Sequence, residues 1–88
     1  MLHKNLLDVL TRGGLTRDGD SFAVPAGLSV TVYLDIAEEA LIVDKVARIE
    51  LGAEVVAIVT ARKERYAVEV EQVSAVRFHP ESNGPGYA

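Results

Sequence analysis

Residues 28–34 read Leu-Ser-Val-Thr-Val-Tyr-Leu. Successive side chains of an extended chain point to opposite faces, so Leu28, Val30, Val32 and Leu34 share one face and Ser29, Thr31 and Tyr33 the other. Clean alternation over seven residues predicts a half-buried strand. Residues 54–61 (EVVAIVTA) behave differently. Val55, Ala57 and Val59 make one face apolar, and Val56 and Ile58 make the other apolar as well. A strand of that kind needs cover on both sides, from the centre of a closed barrel or from a second subunit. Together the two stretches predict a mainly β protein, a small five- to six-stranded antiparallel barrel-like sheet.

The segments around them fill in the order. Residues 66–71 alternate, with Tyr66, Val68 and Val70 inward and Ala67, Glu69 and Glu71 outward, and Arg62–Arg65 form the hairpin tip before them. Gln72-Val73-Ser74 reads as a short break ahead of a last strand over 75–78. Upstream, Asp18-Gly19 predicts a type I′ hairpin turn, pairing residues 15–17 with 20–24, and Pro25 and Gly27 end that run. At the start, Leu6, Leu7 and Leu10 recur at helical spacing within residues 3–12, and Gly13-Gly14 supplies a stop. A helix this short must dock its leucines on the sheet to persist. Residues 35–51 allow two readings. Ala47, Ile49 and Leu51 alternate with Arg48 and Glu50, which favours a turn over 35–39 and a long strand over 40–51, bent near Asp44-Lys45. Asp35 with Glu38 resembles a capping box, and the alternative is an α+β fold with a second helix near 36–48.

Eighty-eight residues make one small domain, expected over 1–79, followed by a Pro-, Gly-, Ser- and Asn-rich tail over 80–88 expected to be disordered. The chain has no cysteine, so neither disulfides nor zinc–thiolate sites can add stability. Its 49% apolar content includes only 6% aromatic residues, so the core must come from Val, Ile, Leu and Ala, a composition that suits a core completed between chains. A net charge of −4 argues against a surface that grips nucleic acid everywhere. No apolar run approaches the roughly 20 residues that span a bilayer, and the start, Met1-Leu2-His3-Lys4-Asn5, has no signal-peptide pattern. A cytoplasmic protein without membrane contact is expected.

Catalytic chemistry finds little to work with. His3 and His79 lie at the fringes of the predicted domain, and Ser21, Ser29 and Ser74 have no nucleophile motif around them. Glu38-Glu39 and the Glu69/Glu71 pair read as solvated carboxylates that blunt sheet edges. Asp18 and Asp20 around Gly19 are too close together for a calcium loop. Gly13-Gly14 lacks the following Lys-Ser or Lys-Thr of a phosphate loop. No catalytic residue, metal ligand or cofactor site is expected. The one local concentration of positive charge is Arg62, Lys63 and Arg65, with Lys45 and Arg48 able to join it. Arg62, Lys63 and Arg65 are the candidates for contact with a phosphate or an acidic partner, and Tyr33 for stacking on a base. Val56 and Ile58 are the candidates for a subunit interface, following the two-sided apolar strand.

The order of elements resembles the Sm-like small β-barrel family, its bacterial RNA-chaperone type included. The residues carrying the likeness are Leu6, Leu7 and Leu10 in the helix, Val30–Leu34 in the first long strand, and Val73-Ser74-Ala75-Val76 leading to Pro80. The resemblance implies a tight 3₁₀ turn before the last strand and a ring in which the final strands join neighbouring subunits. Residues 15–25 are an insertion relative to that pattern, and residues 40–51 lack the glycine at which the family's second strand bends. Val68-Glu69-Val70 stand where the bacterial members carry a uridine-binding Tyr-Lys-His type motif, so no RNA-contacting residue carries over. Two functions follow as expectations: a non-catalytic, self-assembling interaction or scaffold module with a protein partner, or a nucleic-acid-binding small barrel using the 62–65 loop.

Overall fold

The computed structural model describes residues 1–81. It contains helix α1 (His3–Arg12), strands β1 (Thr16–Asp18), β2 (Ser21–Ala23), β3 (Leu28–Ile36), β4 (Glu39–Val43), β5 (Val46–Leu51), β6 (Val55–Thr60) and β7 (Arg65–Glu69), a 3₁₀ turn over Val70–Gln72, and strand β8 (Val73–Pro80). The protein is mainly β, with one short N-terminal helix. All strand pairs are antiparallel, in a five-stranded sheet ordered β1-β2-β5-β6-β7 and a three-stranded sheet ordered β4-β3-β8.

The strands form two antiparallel sheets and no closed barrel, and the expected long strand over 40–51 is two strands. The reason lies at Asp44-Lys45, where Lys45 takes a left-handed φ of 55°. Before this break β4 stays paired with β3; after it β5 turns into the other sheet. There the inserted hairpin takes the edge of β5 opposite β6, through Ser21↔Glu50, Phe22↔Ile49 and Ala23↔Arg48. The hairpin β1–β2 thus covers the edge of β5 that β6 leaves free. Thr31, buried on β3, donates its hydroxyl to Asp44 Oδ1 at 3.0 Å and ties the break back to the smaller sheet.

The second helix weighed for residues 36–48 is not formed. Ala37 and Glu38, with φ of 51° and 70°, make a two-residue turn between Ile36 and Glu39. Positive φ at both central positions is the signature of a type I′ turn, whose twist matches the strands it joins. The upstream hairpin forms one residue away from expectation. Asp18 pairs with Ser21, so the turn residues are Gly19-Asp20, and Gly19 alone has positive φ, as in a type II′ turn. That register sends Phe22 into the core, with the Arg17 guanidinium 5.4 Å from its ring centroid.

One core joins both sheets and the helix. Leu6 and Leu10 of α1 pack with Phe22, Val30, Val32, Leu34, Ile49, Val56, Ile58 and Val73. Gly14, with φ of 89°, turns the chain out of the helix. The Met1 amino group donates to the carbonyls of Glu71 and Val73 at 3.0 and 2.8 Å, fastening the start of the chain to the 3₁₀ turn. β8 runs to Pro80 and the Glu81 N–H donates to Gly27 O, so the ordered chain reaches beyond the expected boundary at 79. The remainder of the expected tail, 82–88, lies outside the described residues.

Candidate interaction surface

The predicted basic tip is the turn between β6 and β7. Thr60 N–H donates to Glu64 O and Lys63 N–H to Thr60 O, each at 2.9 Å, while Lys63 takes a φ of 68°. The buried Thr60 hydroxyl accepts the Glu64 N–H at 3.1 Å, so this turn is held by its own first residue. Ala61 N–H donates to Lys45 O at 2.8 Å and docks the tip against the break between β4 and β5. A cleft of about 230 Å³ lies there, lined by Ile42, Asp44, Lys45, Arg62, Glu64 and Tyr66 among others.

Of the predicted cations, Arg62 joins Lys45 in that cleft and Lys63 is exposed on the turn. Arg65 does something else. It opens β7 and reaches Glu50 at 3.3 Å, and Glu50 also holds Arg48 at 3.0 Å. The sequence therefore groups five cations that the fold divides: Lys45, Arg62 and Lys63 stay at the tip, whereas Arg48 and Arg65 share a carboxylate on the outer face of the large sheet. Asp44 and Glu64 line the cleft too, so its field is mixed in sign.

Val56 and Ile58, expected at a subunit interface, are 1% exposed and belong to the chain's own core. Side chains enclosed to that degree cannot touch a second chain in this fold. β6 turns that side toward α1 and the smaller sheet, where Val56 and Ile58 join Leu6, Leu10, Val32 and Val73 in the core. Its other face is partly open: Val55 is 52% exposed and Val59 is half-buried among Arg48 and Arg65, while Ala57 between them is buried. On the smaller sheet, Tyr33 lies between Ile42, which is 55% exposed, and Ala75, making a second apolar row.

Four strands, β1, β7, β4 and β8, are each paired on one side only among the described residues. The phase of β7 can be read from its ends. Glu64 O accepts from Thr60 and Val70 N–H donates to Glu54 O at 2.8 Å, and the register between is continuous. Hydrogen-bonded positions alternate along an antiparallel strand. Tyr66 and Val68 therefore direct their backbone groups to β6, and Arg65, Ala67 and Glu69 direct theirs outward. The Glu69 N–H, one of these outward groups, is taken by Gln72 Oε1 at 2.9 Å.

The fold also brings Ser29 and His79 directly opposite each other on β3 and β8, in a cleft that Lys45 and Glu81 share. Nothing local in the sequence signals this pair, because the two strands that carry it meet from opposite ends of the domain. Among the described residues no hydrogen bond joins the Ser29 hydroxyl to the imidazole, whose Nδ1 instead lies 3.2 Å from Pro80 O. No group of three or more metal-ligating side chains converges among the described residues, and no helix there is long and apolar enough to cross a membrane. In comparison with known proteins, the chain matches no family model, no curated protein and no solved structure.

Proposed function

We propose that this chain is a non-catalytic interaction module of the cytoplasm that assembles with copies of itself. The observation that carries this reading is the set of open strand edges combined with exposed aliphatic side chains on both outer faces, Val55 on one sheet and Ile42 on the other. Unpaired edges are templates for pairing with another chain unless they are covered or blunted. The Sm-like resemblance points the same way: in that family the final strands, those around the 3₁₀ turn, join neighbouring subunits, and β7 and β8 hold that place in this chain. A chain of this size without cysteines gains stability from association and fits a reducing compartment.

Sedimentation velocity at micromolar concentration tests the proposal. More than one subunit is expected, with an unfolding midpoint that rises with protein concentration. A monomer whose unfolding is independent of concentration would overturn it.

A second reading has its own observation: Lys45 and Arg62 line one cleft with the ring of Tyr66, a pairing of cations with an aromatic that suits single-stranded nucleic acid. Binding that weakens steeply with salt and disappears in R62A/K63A/R65A would favour it. The net charge of −4 and the capture of Arg65 by Glu50 rank it second.

A further inference from the structure

We infer that the partner of β7 is β7 of a second copy, antiparallel about a two-fold axis at Ala67; the inference rests on the self-assembly reading above and specifies its geometry. Residues 65–69 read Arg-Tyr-Ala-Val-Glu. Reversed against itself about its centre, this strand sets Arg65 opposite Glu69 of the other copy, Tyr66 opposite Val68, and Ala67 opposite Ala67. Both ends then match in charge, and both inward positions form an aromatic–aliphatic pair, the kinds of cross-strand pair that stabilise sheets.

The backbone phase fits the same axis. Arg65, Ala67 and Glu69 present their N–H and C=O groups away from β6, so the two Ala67 residues can exchange both hydrogen bonds across the axis. Arg65 can do likewise with Glu69 of the other copy once Gln72 Oε1 releases the Glu69 N–H, and their side chains meet by leaving partners within the chain, Arg65 its 3.3 Å contact with Glu50 and the Glu69 carboxylate the Gln72 N–H. A register one residue to either side would move the axis off this central pair and bring the charged ends out of line. Ala67, exposed and with the smallest side chain on the outer row, leaves the centre unobstructed.

The other open edges lack this self-complementarity. β1 (Thr-Arg-Asp) reversed on itself sets Arg17 against Arg17. β4 (Glu-Ala-Leu-Ile-Val) sets Glu39 against Val43, and β8 ends in Pro80, which has no N–H to donate. Of the four edges, β7 alone matches charge with charge. The pairing would make one ten-stranded antiparallel sheet from the two large sheets. Isologous pairing of this kind closes at two subunits, in contrast to a ring built from two different edges.

A charge-exchange experiment tests the register. R65E has two acids on its edge and E69R two bases, so each variant alone faces like charge at both ends of the pair. Each is expected to dimerise at least about tenfold more weakly than the native chain. Mixed in equal amounts, they place every acid opposite a base and are expected to form a heterodimer in sedimentation equilibrium. Recovery in the mixture separates edge pairing from damage to the fold, because a misfolded variant would not be rescued by another. If both variants associate as the native chain does, or if native assemblies exceed two subunits and ignore the changes, the β7 pairing is wrong and self-assembly stands. If the native chain is still a monomer at about 100 µM, so that any dimer dissociates well above that concentration, both fail together.

Discussion

The ring of Phe78, on β8, lies in the volume that a β-carbon on Gly13 would occupy. Gly13 has a φ of −78°, open to any residue, so the requirement for glycine is one of space rather than backbone conformation. The last strand is thereby seated against the residue that ends the first helix. Gly13→Ala should cost about 1–3 kcal/mol, the usual range for forcing an extra carbon into a filled site. Urea unfolding of G13A, F78L and the double variant checks it. The smaller side chain should recover part of the loss in the double variant, and strictly additive losses would show that the two residues do not meet.

The turn at Ala37-Glu38 holds two residues with β-carbons at positive φ. Left-handed backbone costs an L-residue roughly 1–2 kcal/mol, whereas glycine adopts it freely. Replacing the pair with Asn-Gly, the preferred type I′ sequence, should raise stability by about 1 kcal/mol. Thermal and urea midpoints should both move upward; a fall in either would mean that Ala37 or Glu38 makes a contact that the turn geometry does not reveal.

The Thr31 hydroxyl is buried and bonded to Asp44 at the break between β4 and β5. Thr31→Val keeps the shape and removes the bond, and should cost about 0.5–1.5 kcal/mol. Hydrogen exchange localises the effect. Amides of β4 should lose protection more than those of β6, because Asp44 is what couples the break to β3.

Leu10 is 0% exposed, while Leu7 on the same helix is half-buried. Leu10→Ala should lose about 2–5 kcal/mol, a large share of the stability of a domain this small. Leu7→Ala should lose clearly less. Equal losses measured by urea unfolding would show that the helix does not dock through the face described.

Much of the architecture could be read from alternation and punctuation. Residues 3–12 form the predicted helix, 28–34 lie within β3, and the apolar stretch 54–61 contains β6. Each is a local pattern in which side-chain period and turn residues agree. The misreadings occur where the outcome depends on residues distant in the chain. The Asp18-Gly19 turn moves by one residue because burying Phe22 outweighs the intrinsic preference of the dipeptide. The break at Asp44-Lys45 was visible as a bend but not as an exchange of sheets, since that depends on β2 reaching the far edge of β5. The candidate surface was legible in part. A cluster of cations at 62–65 is evident from composition, yet Arg65 belongs to Glu50, a partner set by strand register.

Chain order and side-chain alternation thus determined that this is an antiparallel β protein with a docked N-terminal helix, because the periods of strand and helix are properties of neighbouring residues. Which face of β6 is enclosed, which edges remain open and which charges meet were decided by the tertiary structure alone. Those depend on where distant strands come to rest, and a two-sided apolar strand such as 54–61 has no local feature to say which side the core will take.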